Sequence, residues 1–231
     1  LYFDWTFMGL VMPAFLFALW ASSSVKATYH RYQKQHSSRG ITGYEAARRI
    51  LYENGLSHVR IERVNGQLTD HYDPRDQVIR LSDSVYSSTS TAAIGVAAHE
   101  AGHAVQHANN YAPLKLRNAI IPITNFGSQM AIPLFLLGLI LAPRDPRFIG
   151  LAYVGLIGFG LAVVFQLLTL PTEFNASKRA LVAIEHQGIL SQEELVGARN
   201  VLRAAAMTYV AALAVSLAQL LRFSMLLGRR R

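Results

Sequence analysis

The sequence predicts a mostly α membrane protein, with about four transmembrane helices and a small α+β core that carries a short β-sheet. Three observations predict it. Several stretches of the 231-residue chain are apolar and free of charge over a length that can cross a bilayer. A long polar region after the first of them alternates apolar and charged residues in short runs, the pattern of half-buried strands. Inside that region an Ala-rich run of helical character carries His99-Glu100-Ala101-Gly102-His103.

Composition sets the partners. Hydrophobic residues make up 52% and charged residues 16%, an excess that the apolar runs explain. Lys and Arg outnumber Asp and Glu by 22 to 14, a net charge of +8. The basic residues cluster beside the apolar runs and do not interleave with aromatics on a polar face, so the expected partner is a lipid bilayer and not nucleic acid. With no cysteine, disulfides and thiolate ligands are excluded, and a bound metal must rely on His and carboxylate groups.

Residues 1–25 hold the first transmembrane helix. Residues 5–25 are uncharged, with Trp5 and Trp20 placed as interfacial anchors. A secretory signal peptide would want basic residues ahead of the run, and only Asp4 stands there. The cations follow, at Lys26, Arg31, Lys34 and Arg39, which puts the amino terminus outside and the next segment in the cytoplasm. The chain opens on Leu1 and not on methionine, which reads as a trimmed terminus.

Residues 26–118 form the expected cytoplasmic α+β region. Thr42 caps a helix whose Ala46, Ala47, Ile50 and Leu51 share one face, and Gly55 stops it. Residues 59–64 alternate as a strand, and Asn65-Gly66 after them is a strong hairpin signal. Residues 77–81 alternate again, with Asp73-Pro74 marking a turn between. The sheet is therefore expected to have two or three strands. The Ser/Thr run at residues 87–91 offers caps for the His99 helix, which is expected to reach about Asn109.

Residues 119–170 are expected to be a transmembrane hairpin: two charge-free runs, 118–143 and 148–172, flank a tight Arg144-Asp145-Pro146-Arg147 loop. Asn125 and Gln129, four apart in the first run, read as interhelical hydrogen-bonding groups. Residues 171–203 follow as a polar helical segment, in which Ser191-Gln192-Glu193-Glu194 is a capping box. Residues 204–228 form the fourth span. The tail Arg229-Arg230-Arg231 would then lie outside, against the positive-inside rule, while the other cations favour a multi-pass protein with its polar region in the cytoplasm.

The chemistry sits in the H-E-x-x-H motif. His99 and His103 are one helical turn apart on one face and can grip one Zn²⁺, while Glu100 beside them can take a proton from water. A hydrolytic zinc site needs a third protein ligand and one open position. His107 and Glu173 are the candidates. Ligands at i, i+4 and i+8 on a straight helix would spread over about 12 Å, too far for one ion. Glu173, opening a helix where an apolar run meets the interface, is the better placed.

The HEAGH motif followed by a glutamate helix resembles the gluzincin metallopeptidases, and the surrounding spans look like HtpX-type and CAAX-prenyl-protease relatives. More closely, Gly66-Gln67-Leu68-Thr69-Asp70-His71-Tyr72-Asp73-Pro74-Arg75, the run from His99 to His107, and Leu170-Pro171-Thr172-Glu173-Phe174-Asn175-Ala176-Ser177 resemble the YugP-type bacterial neutral zinc metallopeptidases. That resemblance covers nearly the whole chain. It implies a gluzincin-like metallopeptidase core in the membrane, a zinc-dependent endopeptidase acting on polypeptides, with His99, His103 and Glu173 as ligands and Glu100 as general base. The HtpX-type pattern Glu-x-x-Ala-Asp meets Ser177 here in place of the aspartate, so a hydroxyl stands where a carboxylate would support a ligand histidine. Asp70 or Asp73 could supply that support instead. His71, Tyr72 and Arg179 are the candidate donors to the oxyanion, and an exposed sheet edge could hold an extended peptide by strand addition. Two rival readings are a membrane scaffold with a structural zinc and a transporter with a metal site; the uncharged spans count against transport. Neither the substrate nor the oligomeric state is legible.

Overall fold

The computed structural model describes residues 5–67 and 69–228. Leu1, Asp4 and the arginine tail, which carried expectations about termini and orientation, lie outside the described residues. In chain order, a π-helical turn Phe7–Val11 leads into α1 (Met12–Tyr32), followed by α2 (Gly43–Glu53), β1 (Arg60–Val64), β2 (His71–Asp73), β3 (Val78–Ser82), α3 (Asp83–Tyr86), α4 (Thr91–Ala108) and α5 (Ala112–Leu141). A short 3₁₀ turn, Pro146–Phe148, then opens α6 (Ile149–His186), and α7 (Gln192–Gly228) is the last element among the described residues. Helix dominates and the sheet is small, as expected. Four helical segments, Phe7–Tyr32, Ala112–Leu141, Pro146–His186 and Gln192–Gly228, are long and apolar enough to cross a membrane.

The chain divides into two compact units. The first comprises Leu1–Trp20, Leu116–Leu170 and Thr208–Arg231. Its helices meet through small residues, which let backbones approach where lipid supplies no hydrophobic drive. A Cβ added to Gly155 would stand 2.6 Å from the Ala131 carbonyl oxygen, and one added to Gly138 2.3 Å from the Ala152 nitrogen, so α5 and α6 touch backbone to backbone. Phe223 of α7 completes the contact, its ring 4.3 Å from that of Phe135 and 4.7 Å from that of Phe159.

The second unit comprises Ala21–Lys115 and Pro171–Met207. Thr42 forms the full capping box of α2: its hydroxyl accepts from the Glu45 N–H, and the Glu45 carboxylate accepts from the Thr42 N–H. Ala46, Ala47, Ile50 and Leu51 are buried, and they pack with Ile94 and Ala98 of α4 in the main core. Ile184 of α6 and Leu195 of α7 close that core from the carboxyl-terminal half.

The sheet corrects one expectation. Asn65-Gly66 does turn the chain, with Gly66 at φ +115°, but no hairpin follows. Strand order is β1-β3-β2: β1 runs parallel to β3, and β2 lies antiparallel on β3's other edge. The cause is visible at Asp70. Its carboxylate accepts from the Ser82 N–H at 2.7 Å and the Ser82 hydroxyl at 3.0 Å, fastening the chain ahead of β2 to the end of β3. The hairpin in the sheet is the one at the Asp73-Pro74 turn.

A second correction concerns Glu173. It does not open a new helix, since α6 is continuous from Ile149 to His186 with Pro171 inside it. Proline costs one backbone hydrogen bond and is tolerated here within a long helix.

Candidate metal centre

Helix α4 is built to be buried. Ser90 caps it, accepting from the Ala93 N–H at 3.2 Å, and Ala92, Ala93, Ala97, Ala98 and Ala101 are all fully buried. Such small side chains let neighbouring elements, α2 and α6 among them, pack close to it. His99 and His103 project from one face with ring centroids 4.7 Å apart and planes at 82°, edge to face.

The third group arrives from α6. Glu173 Oε2 lies 3.2 Å from His99 Nε2 and 3.6 Å from His103 Nε2. Two ligands bound tetrahedrally to one zinc at about 2.0–2.1 Å stand roughly 3.3–3.4 Å apart, so these separations bracket the edge of a zinc tetrahedron. Side-chain exposures of 14%, 13% and 4% for His99, His103 and Glu173 leave the imidazoles a thin accessible edge, the side from which water and substrate can enter. Gly102 permits the approach: a Cβ there would sit 2.7 Å from the Ala176 carbonyl oxygen.

Both rings are held from behind. Ser177 Oγ is 3.1 Å from His99 Nδ1, and Gln106 Oε1 is 2.9 Å from His103 Nδ1. The Gln106 amide cannot be reversed, because its nitrogen donates to the Thr172 carbonyl at 2.8 Å and to Asn175 Oδ1 at 3.0 Å. Its oxygen therefore accepts from His103 Nδ1–H. A neutral His103 then turns a bare Nε2 lone pair toward the Glu173 carboxylate 3.6 Å away. Acceptor faces acceptor, an arrangement that calls for a cation or a proton between them. The donor set, two imidazoles and one carboxylate without thiolate, suits zinc.

The electrostatics agree. Burial alone would lower the His103 pKa, but the Glu173 hydrogen bond and the charges of Glu100 and Glu173 outweigh it and hold the group above the ordinary imidazole value. The pocket thus attracts positive charge. Glu100 is buried and makes no hydrogen bond to a described side chain. Burial and the Glu100 charge raise the pKa of Asp70 in spite of its bonds to Ser82.

His99, His103, Glu173 and Ser177 are therefore together; the helical spacing pointed to the two histidines, the end of the apolar run to Glu173, and the resemblance to Ser177. The other candidates stand differently. His71 is exposed on β2 and its Nδ1 donates to the Thr69 carbonyl at 2.8 Å; no contact joins it to the His/Glu group among the described residues. Tyr72 is half-buried, its hydroxyl 2.9 Å from His107 Nδ1, and both line a cavity of about 350 Å³ with His58 and Ala104. Asp70 is bonded to Ser82 and not to an imidazole, while Asp73 pairs with Arg80 at 3.3 Å. Arg179 donates from Nε to Asn175 Oδ1 at 2.8 Å. Gln106 escaped the sequence reading. The signal available was a glutamine three residues after His103 on an otherwise apolar helix.

The profile of a family described as "Putative neutral zinc metallopeptidase" matches residues 7–228. A curated relative, "Putative membrane protease YugP" of Bacillus subtilis (strain 168), is 50% identical over 220 residues, covering 95% of this chain and 96% of the relative. No solved structure matches.

Proposed function

This chain belongs to the family described as "Putative neutral zinc metallopeptidase", and from that membership we propose that it is a membrane-integrated zinc endopeptidase of gluzincin type. The observation that carries the reading is the His99–Glu173–His103 cluster, whose ligand atoms lie within 4.8 Å of one another. His99 and His103 offer Nε2 and Glu173 offers Oε2 to the ion. Zinc, when bound, supplies Lewis acidity, which acidifies water and polarises a peptide carbonyl.

The remaining work falls to the chain's own groups. Glu100, buried and without a hydrogen bond to any described side chain, accepts a proton from the attacking water and hands it to the departing amine. Ser177 and Gln106 keep the Nδ1 protons of the two imidazoles occupied, so each ring presents its other nitrogen to the metal. A donor to the developing oxyanion is still needed. Tyr72, steadied by His107, suits that task better than His71, whose ring lies in solvent. An extended polypeptide, whether soluble or membrane-bound, is the substrate. The basic residues of segments 26–118 and 171–203 favour a cytoplasmic active site on a bacterial inner membrane.

The test is metal analysis with a casein digestion assay on the detergent-solubilised protein, wild type beside Glu100→Gln and Glu173→Ala. The expected result is one zinc per chain and cleavage in the wild type, zinc without cleavage in Glu100→Gln, and loss of zinc in Glu173→Ala. Zinc bound with no cleavage of any polypeptide by the wild type would make the site structural.

A further inference from the structure

We propose that Gln106 is a positioning residue for the metal centre: a single amide that fixes the orientation of His103 and ties its helix to the turn of α6 that carries Glu173. The inference rests on the zinc-site reading above and adds a residue that the H-E-x-x-H motif does not contain.

Gln106 is fully buried in a helix whose other buried residues are mostly small or apolar. A buried glutamine is costly unless its amide is satisfied, and this one is satisfied only by groups of the metal site. Its oxygen faces His103 Nδ1 at 2.9 Å. Its nitrogen spends both protons on α6, one on the Thr172 carbonyl at 2.8 Å and one on Asn175 Oδ1 at 3.0 Å. Asn175 cannot turn over either, because the same oxygen accepts from Arg179 Nε at 2.8 Å. Every donor in the chain of bonds is thus assigned, and no reversal of either amide avoids setting like against like.

Two consequences follow. The proton of a neutral His103 is confined to Nδ1, which keeps Nε2 free for the metal. Thr172 immediately precedes Glu173, so the same amide sets how far the third ligand stands from the first two. The ligands come from segments more than sixty residues apart, as the span of the Gln106–Thr172 bond records (|i−j| = 66). The bond from Gln106 reaches the backbone of Thr172, the residue next to the ligand Glu173.

A glutamate in the same place would keep an acceptor for His103 but turn a second oxygen on two acceptors. It should therefore fail to substitute, which separates the two halves of the role. The experiment uses the full chain in detergent, stripped of metal and titrated with Zn²⁺ against a chromophoric chelator, with Co²⁺ visible absorption as a report on coordination geometry. Wild type, Gln106→Met and Gln106→Glu are compared, and thermal unfolding of the metal-free proteins shows that each is folded. Both variants should bind Zn²⁺ about 10–100-fold more weakly and give an altered Co²⁺ band. A buried glutamine of purely structural value would change unfolding and leave the band alone.

Wild-type affinity in folded Gln106→Met overturns the proposal, and wild-type affinity in Gln106→Glu overturns the tie to α6. Should Gln106→Met fail to fold, Asn175→Ala removes one of the three bonds and should weaken Zn²⁺ binding several-fold; unchanged affinity there overturns the proposal equally. A wild type that binds no Zn²⁺ at all defeats the underlying reading and is told apart from these outcomes by that alone.

Discussion

Gly102 faces the carbonyl oxygen of Ala176 so closely that a Cβ would stand 2.7 Å from it, nearer than real side chains approach. The glycine inside the HEAGH motif is therefore a contact point between the helix of the two histidines and the helix of Glu173. Neither partner can yield cheaply, since the obstacle is α-helical backbone at Ala176, which is fully buried.

Gly102→Ala should push α6 outward. Overpacking of this kind costs about 1–3 kcal/mol, and the displaced turn carries Glu173 away from both imidazoles. We expect a lower Tm and weaker Zn²⁺ binding together, measured by thermal unfolding and chelator competition. Full affinity at a reduced Tm would show that the site tolerates the shift and that the glycine serves packing alone.

Ser177 supports His99 with a hydroxyl 3.1 Å from Nδ1. A carboxylate there would raise the basicity of the imidazole more strongly than a serine does. Ser177→Ala should weaken Zn²⁺ binding by about tenfold, and Ser177→Asp should bind more tightly than wild type. Indistinguishable affinities in the three proteins would remove Ser177 from the support of His99.

How much of this was legible in the sequence divides along the range of the interactions. The metal helix was readable because His99, Glu100 and His103 act within one turn, and Ser90 caps the helix within the serine and threonine run that flagged it. Glu173 was readable as the first charge after a long uncharged run, although the helix was expected to begin there and in fact passes straight through Pro171. Strand order was not readable. Asn65-Gly66 encodes a turn, but the choice of partner for β1 was made by Asp70 reaching Ser82, twelve residues on. Gln106 was hidden for the same reason: its partners Thr172 and Asn175 lie on another helix, and nothing local marks a glutamine as buried.

Orientation can be decided with substitutions that the composition makes clean, because the chain has no cysteine. Ser57 is exposed in the α+β unit, and the side chain of Arg147 in the loop between α5 and α6 is 94% exposed. With a cytoplasmic active site, Arg147→Cys should react with an impermeant maleimide in intact cells, and Ser57→Cys only after permeabilisation. The reverse labelling would place the metal centre outside. The excess of Lys and Arg in segments 26–118 and 171–203 argues for the first outcome.

The capping box of α2 carries a pH dependence whose sign can be worked out. The Thr42 backbone N–H, then its hydroxyl, hold the Glu45 pKa below its ordinary 4.5. A carboxyl with a depressed folded pKa contributes stability that is present above the unfolded value and is lost as pH falls through the folded one. Glu45→Ala should therefore cost about 0.5–1 kcal/mol at pH 7, toward the lower figure because the pair is solvent-exposed and screened. Glu45→Gln keeps an acceptor for the Thr42 N–H without the charge, so it should lose less at pH 7 and show no dependence of its own on pH. Thermal unfolding of the three proteins between pH 7 and 3.5 measures this. The gap between wild type and Glu45→Gln should begin to narrow about one pH unit above 4.5, where the unfolded chain starts to take up its proton, and close as pH falls through the folded pKa; a gap that is constant over the whole range would mean that the ionised carboxylate adds nothing to the cap.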